Sequence, residues 1–310
     1  MNKDIRDAFF DEVYELALKD KNVFFISADA DAFSLRKFKQ NLPEQFINVG
    51  VAEQNMALVA TGLALTGKKV FIYSITSFVS MRCFEQLKVN VCSMNVPVHI
   101  IGLGSGYSFS YDGPTHHATQ DIALMRTLPE VTILNPCDGT SARDAARACY
   151  SKDGPVYVRI DKGAPDVVHD EFSCQAGLKE LSNTSSIKIF STGYATHMAK
   201  EIVNSLDFDV DVVDVYTLKP LNNERILDIL RKSQQVFTLE ENTLIGGLGS
   251  MLCELIVDND IDVKMKRFAL EDKQEFDFGS REWLMSNGGL NKKQILKNIM
   301  DINDDLQNTN

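Results

Sequence analysis

Asn48-Val49-Gly50-Val51-Ala52-Glu53-Gln54-Asn55-Met56 is the stretch whose reading decides the fold, because it joins an apolar strand to an apolar helix. The strand is Phe46-Ile47-Asn48-Val49, and the helix runs from about Glu53 to Thr66. Gly50 permits a tight turn between them, since it has no Cβ to restrict φ. Glu53 falls in the first helical turn, beside the positive end of the helix dipole. A carboxylate in that position is also an ordinary helix-start signal. Its flanks are apolar, however, so it is expected to be dry, and a dry carboxylate needs a partner or a raised pKa.

Outward from this unit the same grammar repeats. Ile5, Phe9, Val13, Leu16 and Ala17 recur at helical spacing, so the chain opens with an amphipathic helix. Strand-length apolar runs follow at Val23–Ser27, Val70–Ser74, Pro97–Gly102, Val131–Leu134 and Pro155–Ile160, with a helix from the Val70–Ser74 strand to about Met94. Apolar runs without polar alternation, separated by helical patterns, predict a parallel sheet covered on both faces. The pattern lapses from about Asp161 to Ser186, where Gly163, Pro165, Gly177 and Ser182-Asn183-Thr184-Ser185-Ser186 read as a linker. A second, smaller α/β set follows. Its strands are Ile187–Ser191, Val210–Val215, Val236–Glu240 and Val263–Phe268, and its helices lie near Thr196–Ser205, Asn223–Lys232, Gly249–Val257 and Lys292–Met300. The expected layout is a first α/β domain over 1–165, a linker over 166–186, a second over 187–302 and a polar, frayed tail over 303–310.

The 310 residues are 44% hydrophobic and 24% charged, enough to bury a core in each of two domains. A net charge of −11 argues against a nucleic-acid binder, which would show a basic face. No secretory leader pattern and no apolar run of about 18 residues is present, so the expected location is cytoplasmic. Six scattered cysteines without a Cys-x-x-Cys pair read as reduced packing residues.

Several polar pieces have ordinary explanations. Asp29 and Asp31 share a short loop and read as turn formers rather than metal ligands. Gly102-Leu103-Gly104-Ser105-Gly106 lacks the dinucleotide-binding spacing and reads as a place where backbone closely approaches a ligand. Gly246-Gly247-Leu248-Gly249-Ser250 precedes a helix; tight packing explains it more simply than an anion site. His99, His169 and His197 look structural or exposed.

Three blocks together resemble the transketolase family. Asn48–Met56 looks like the glutamate motif of its pyrimidine-binding domain. Asp112-Gly113-Pro114-Thr115-His116-His117 resembles its Asp-Gly-Pro-Thr-His motif, and Ser77–Leu87 resembles the helix after the pyrimidine-contacting strand. Order and spacing fit, and similarity continues to about Ile299. The fold so implied is a thiamine diphosphate-binding pyrimidine domain followed by a transketolase C-terminal-like domain, each a mainly parallel sheet flanked by helices.

The resemblance also implies roles. In the family the glutamate, here Glu53, hydrogen-bonds a ring nitrogen of the cofactor's aminopyrimidine, and low dielectric makes that proton's position matter. Phe78 is expected to stack on the pyrimidine, with Val51 and Arg82 beside it. His116 and Asp112 match residues that bind sugar hydroxyls near the reacting carbonyl, with His117 in the same pocket. Arg159 matches an arginine that binds the sugar phosphate, and bidentate geometry suits that role; Ser34 is expected to add a hydrogen bond. Many full-length members have a histidine where this chain has Gly104, which touches donor and acceptor preference.

The family's diphosphate and metal site, a Gly-Asp-Gly followed by an Asn, has no Gly-Asp-Gly counterpart in this sequence. The resemblance therefore implies the carboxy-terminal subunit of a split transketolase, transferring a two-carbon ketol unit between sugars. A separate amino-terminal subunit would hold the diphosphate and Mg2+ or Ca2+, in an α2β2 heterotetramer whose pyrimidine domains meet around the Glu53 and Phe84 helices. The alternatives are a deoxyxylulose-phosphate-synthase-like enzyme, a β subunit of a 2-oxoacid dehydrogenase, and a non-catalytic partner subunit.

Overall fold

The structure, a computed structural model, describes residues 3–169 and 173–309. Residues 1 and 2 of the expected first domain, 170–172 of the linker and 310 of the tail lie outside the described residues.

The first half alternates helices and strands: α1 (Ile5–Lys19), β1 (Val23–Ser27), α2 (Leu35–Asn41), β2 (Phe46–Asn48), α3 (Glu53–Leu65) and β3 (Lys69–Ile75). A helical segment follows, π-helical at Phe78–Arg82 and Leu87–Cys92 around one α-turn, α4 (Phe84–Gln86). Then come β4 (Val98–Leu103), α5 (Asp121–Arg126), β5 (Thr132–Leu134), α6 (Gly139–Ser151) and β6 (Val156–Ile160). The second half is β7 (Leu178–Glu180), β8 (Ile187–Ser191), α7 (Ala195–Val203), β9 (Asp211–Val215), β10 (Thr217–Lys219), α8 (Asn223–Lys232), β11 (Gln235–Thr243), α9 (Leu248–Asp258), β12 (Lys264–Leu270), α10 (Arg281–Asn287) and α11 (Lys292–Thr309).

The strands form two sheets, ordered β10-β5-β6-β4-β3-β1-β2 and β12-β11-β8-β9-β7. Pairing is parallel except at β10 with β5 and β7 with β9. The six-strand expectation for the first sheet is thus exceeded by one strand from the second half of the chain. β10 crosses over because β9 is followed at once by a turn whose Tyr216 carbonyl accepts from Asn135 N at 2.8 Å. β7 lies inside the expected linker; alternation there is too short, three residues, to read as a strand. The expected frayed tail is instead helical: α11 runs to Thr309 and buries its own Ile295 and Ile299.

Continuous apolar strands explain the burial. Phe71, Ile72, Ile100, Ile101 and Val158 are fully enclosed between helices on both faces. Cys83, Cys92, Cys137 and Cys149 are buried and all six cysteines are free, in keeping with packing roles. Among the described residues, no helix is long and apolar enough to cross a membrane. The parallel strands β1, β2, β3, β4 and β6 all end on one edge of the first sheet, where ligands collect in open α/β folds.

Candidate active site

The site is built at that edge. After β2, the Asn48 side chain folds the chain back: its Oδ1 accepts from Gly50 N at 3.0 Å and from Asp29 N at 3.1 Å. Gly50 takes φ +75°, which an L side chain would resist. The turn delivers Glu53 as the first residue of α3, 1% exposed. Ser74 Oγ at the end of β3 donates to Glu53 Oε1 at 3.1 Å, and Arg82 Nη1 donates to Oε2 at 2.7 Å. Arg82 itself is 42% exposed, so this partner reaches in from solvent.

Arg82 lies over the Phe78 ring, its guanidinium carbon 4.1 Å from the centroid. Both belong to a π-helical turn, a geometry that shifts side-chain register by a residue and recurs at functional sites. Phe78 is half-buried, and the His116 ring stands edge-on to it at 5.0 Å. Ser77 Oγ donates to the Thr115 carbonyl at 2.9 Å, tying the two segments together. Thr115 Oγ1 lies 3.0 Å from His116 Nδ1, so Nε2 is the nitrogen left to face outward. The neighbouring Cys83 thiol is pushed up to about 12 by burial, reinforced by the Glu53 charge, and is no nucleophile.

The structure therefore brings Glu53, Arg82, Phe78 and His116 together. Asp112 is exposed on the same loop, and Val51 is exposed on the turn before α3. His117 parts from His116. It is buried, 4.8 Å from the Tyr107 ring, and burial lowers its pKa against the opposing charge of Glu275. The single pocket expected for both histidines is corrected: the His116 ring stands against Phe78, and the His117 ring stands against Tyr107.

Two expected phosphate ligands are also corrected. Arg159 is 2% exposed on β6 and held by Asp121 through Nε at 2.8 Å. Its Nη2 donates to the carbonyls of Ala118 and Glu241, each at 2.9 Å. A cation so enclosed needs these partners and is not offered to a ligand. Ser34 is 2% exposed and its hydroxyl is turned toward the Asp7 carbonyl of α1, 3.5 Å away.

Sequence reasoning missed Lys162. Its Nζ stands 3.6 Å from the Phe109 ring centre, and Phe109 in turn lies 5.9 Å from the His116 ring. Desolvation lowers its pKa, against the charges of Asp161 and Asp112. The available signal was position, a lysine just past the carboxyl end of a parallel strand.

The glycine clusters serve the protein's own side chains. A Cβ on Gly104 would fall 2.3 Å from Phe109, and one on Gly106 2.4 Å from Glu241. The close approach expected to be to a ligand is thus to these residues. A Cβ on Gly247 would fall 2.0 Å from Glu240 Oε2. Leu248 N and Gly249 N donate to that carboxyl group at 2.7 and 2.8 Å, so the helix end is occupied by the protein's own side chain and the tight packing is real.

Among the described residues, one group of metal-capable side chains gathers, Cys137, His169 and Asp214, buried between the two sheets. His169 Nε2 lies 2.7 Å from Asp214 Oδ2, the Cys137 thiol donates to the same oxygen at 3.5 Å, and Thr196 Oγ1 donates to Oδ1 at 2.7 Å. These residues already satisfy one another away from the Glu53 crevice. At the crevice, a buried carboxylate beside a half-open aromatic ring suits a flat, nitrogen-bearing ring.

The family model described as "Transketolase, pyrimidine binding domain" matches residues 1–166, and "Transketolase, C-terminal domain" matches 178–295. An apulose-4-phosphate transketolase subunit of Phocaeicola vulgatus is 31% identical, with 96% of each chain covered. The "6-deoxy-6-sulfo-D-fructose transketolase subunit SqwH" of Clostridium sp. (strain MSTE9) is 33% identical, covering 94% of this chain and 92% of that one. A solved structure described as "Split gene transketolase, inactive beta4 tetramer" superposes with a TM-score of 0.84 at 28% identity, covering 97% of this chain and 98% of that one.

Proposed function

The chain belongs to the transketolase family, and on that premise we propose that it is the carboxy-terminal subunit of a split transketolase, transferring a two-carbon ketol unit from a ketose to an aldose. The observation that carries this reading is the crevice in which buried Glu53 meets Phe78 and His116. The family is thiamine diphosphate dependent, and the residues fit one end of that cofactor. One Glu53 oxygen rests on Arg82, a side chain 42% exposed that can turn away, so a ring nitrogen can take its place. Phe78 offers a half-open ring at the right edge of the sheet. The cofactor supplies a nucleophilic carbon for breaking and making carbon–carbon bonds.

The chain's own groups do the rest. Glu53 holds a shared proton at its carboxylate, in a place dry enough for that proton to matter. Phe78 stacks, with Arg82 and Val51 bordering the ring. His116 Nε2 and the Asp112 carboxylate orient substrate hydroxyls. Lys162, rather than Arg159, offers a cation to a substrate anion, because it faces the loop and is not enclosed.

The diphosphate and its Mg2+ or Ca2+ belong to a partner subunit, since no Gly-Asp-Gly is present. The relative solved as a tetramer of β subunits is described as inactive, which supports that need. Leu58, Leu65 and Val89 expose apolar surface on α3 and the π-helical segment, which supports pairing of two such chains there in an α2β2 assembly. The test is co-purification of the tagged chain from its host, followed by reconstitution with thiamine diphosphate and Mg2+. The expected result is ketol transfer only with a Gly-Asp-Gly-bearing partner. Turnover of pyruvate alone would favour the synthase-like or dehydrogenase-like reading, and no turnover in any complex would favour a non-catalytic subunit.

A further inference from the structure

β11 carries Glu240, Glu241 and Asn242 in succession, each 1% exposed or less. Neighbouring strand residues face opposite ways. Glu240 turns to α9, and Glu241 turns across to the first domain. Its Oε1 accepts from Tyr107 N at 2.8 Å, and only glycine fits at Gly106 beside it. Gly106 and Ala118 exchange two backbone hydrogen bonds of 2.9 Å, closing the neck of the loop that carries Asp112 and His116. Arg159 fastens the other side of the neck through the Ala118 carbonyl.

Arg281, the first residue of α10, completes the arrangement. Its Nη2 donates to Glu241 Oε2 at 2.6 Å, to Asp161 Oδ2 at 2.5 Å and to Ser105 Oγ at 3.1 Å. Its Nε donates to both Glu241 oxygens at 3.1 Å. The guanidinium is stacked on Tyr194, 3.8 Å from the ring centre. Asp161 immediately precedes Lys162. One guanidinium from the second domain thus holds both the loop neck and the strand end that bears Lys162.

We propose that Arg281 is a positioning residue: through Glu241 and Asp161 it sets the substrate loop, Gly104–Ala118, against Lys162. This rests on the transketolase reading above and gives the second domain a part in it. The guanidinium is spent on Glu241, Asp161, Ser105 and Tyr194, and none of these is Phe78 or His116, so Arg281 acts through the loop.

The test compares Arg281→Met and Arg281→Lys with wild type by hydrogen exchange on the chain and by kinetics of the reconstituted complex. Arg281→Met is expected to speed exchange at the amides of Gly106, Tyr107 and Ala118 by about tenfold or more, leaving β1 and β3 unchanged. It should raise KM for the sugar about tenfold while kcat falls less than about threefold, as expected for lost ground-state placement. Arg281→Lys keeps the charge without the fork and should be intermediate in both; if Arg281→Met does not fold, it decides alone. Unchanged loop exchange, or loosening spread evenly over the second domain, overturns the proposal, as does unchanged KM in an active complex. A wild-type complex that does not turn over counts against the transketolase reading, and the exchange result still decides this inference.

Discussion

Glu53 and Glu240 are both 1% exposed and both meet the N-terminal end of a helix, Glu53 as the first residue of α3 and Glu240 by reaching from β11 to α9, and they lie in different domains. What differs is who satisfies them. Glu240 is held by the amides of Leu248 and Gly249, which belong to the helix end itself and cannot leave. Glu53 is held by a buried serine hydroxyl and by an arginine 42% exposed, and the arginine can swing aside. A buried carboxyl group bound by backbone is part of the fold. A buried charge bound by side chains at an opening is available to a ligand. The comparison separates site from scaffold more sharply than burial does.

The largest effect that would break this distinction is at Glu53. Glu53→Gln should lower turnover of the reconstituted complex by roughly 10²–10⁴-fold, the usual range for a proton-handling group, with an unchanged urea midpoint. A shifted midpoint with retained turnover would move Glu53 to the scaffold side. Arg159 tests the same boundary from the other side. Arg159→Met leaves the fully buried Asp121 without its cation and should cost about 3–5 kcal/mol in denaturant unfolding. A rise in KM for a phosphorylated sugar without that loss would return Arg159 to the substrate.

Glu240 sharpens the comparison through pH. Burial pushes its pKa from 4.5 up to about 7, against the helix amides. The folded state then binds the proton more tightly than the unfolded chain. Its contribution to stability is full below pH 4.5 and is lost as pH rises through about 7. Glu240→Gln should flatten a slope of up to ~1.4 kcal/mol per pH unit in that window, read from urea midpoints at about pH 5 and about pH 7. Equal slopes in wild type and variant would mean that the amides keep Glu240 ionised. The smallest effect is at Phe78. Phe78→Ala should weaken cofactor binding by about 0.5–1.5 kcal/mol of ring stacking, read as KM for thiamine diphosphate in the complex, with kcat little changed.

Glu53, Phe78 and His116 were legible because each sits in a short motif whose turn, helix start or loop is specified by its neighbours. Phe78 lies in a π-helical turn, which breaks the spacing that sequence periodicity assumes. Arg159 was misread. Its partner Asp121 lies 38 residues earlier, and nothing near Arg159 in the chain announces it. Arg281 and Asp161 are 120 residues apart, and the loop anchor at Ser105 is 176 away. Ser34 failed for a similar reason, because α1 covers it.

Local patterns were enough to establish the alternation of strands and helices, the two α/β sets, the dry carboxylate after Gly50 and the lack of a Gly-Asp-Gly site. Hydrophobic period, glycine and helix-start residues act within a turn or two, so the chain states them directly. Folding alone settled that β10 completes the first sheet and β7 the second, that Arg159 is enclosed, and that Lys162 and Arg281 border the Gly104–Ala118 loop. A strand's partner and a buried charge's counter-ion are chosen by what lies nearby after the chain has closed, and sequence distance carries no record of that choice.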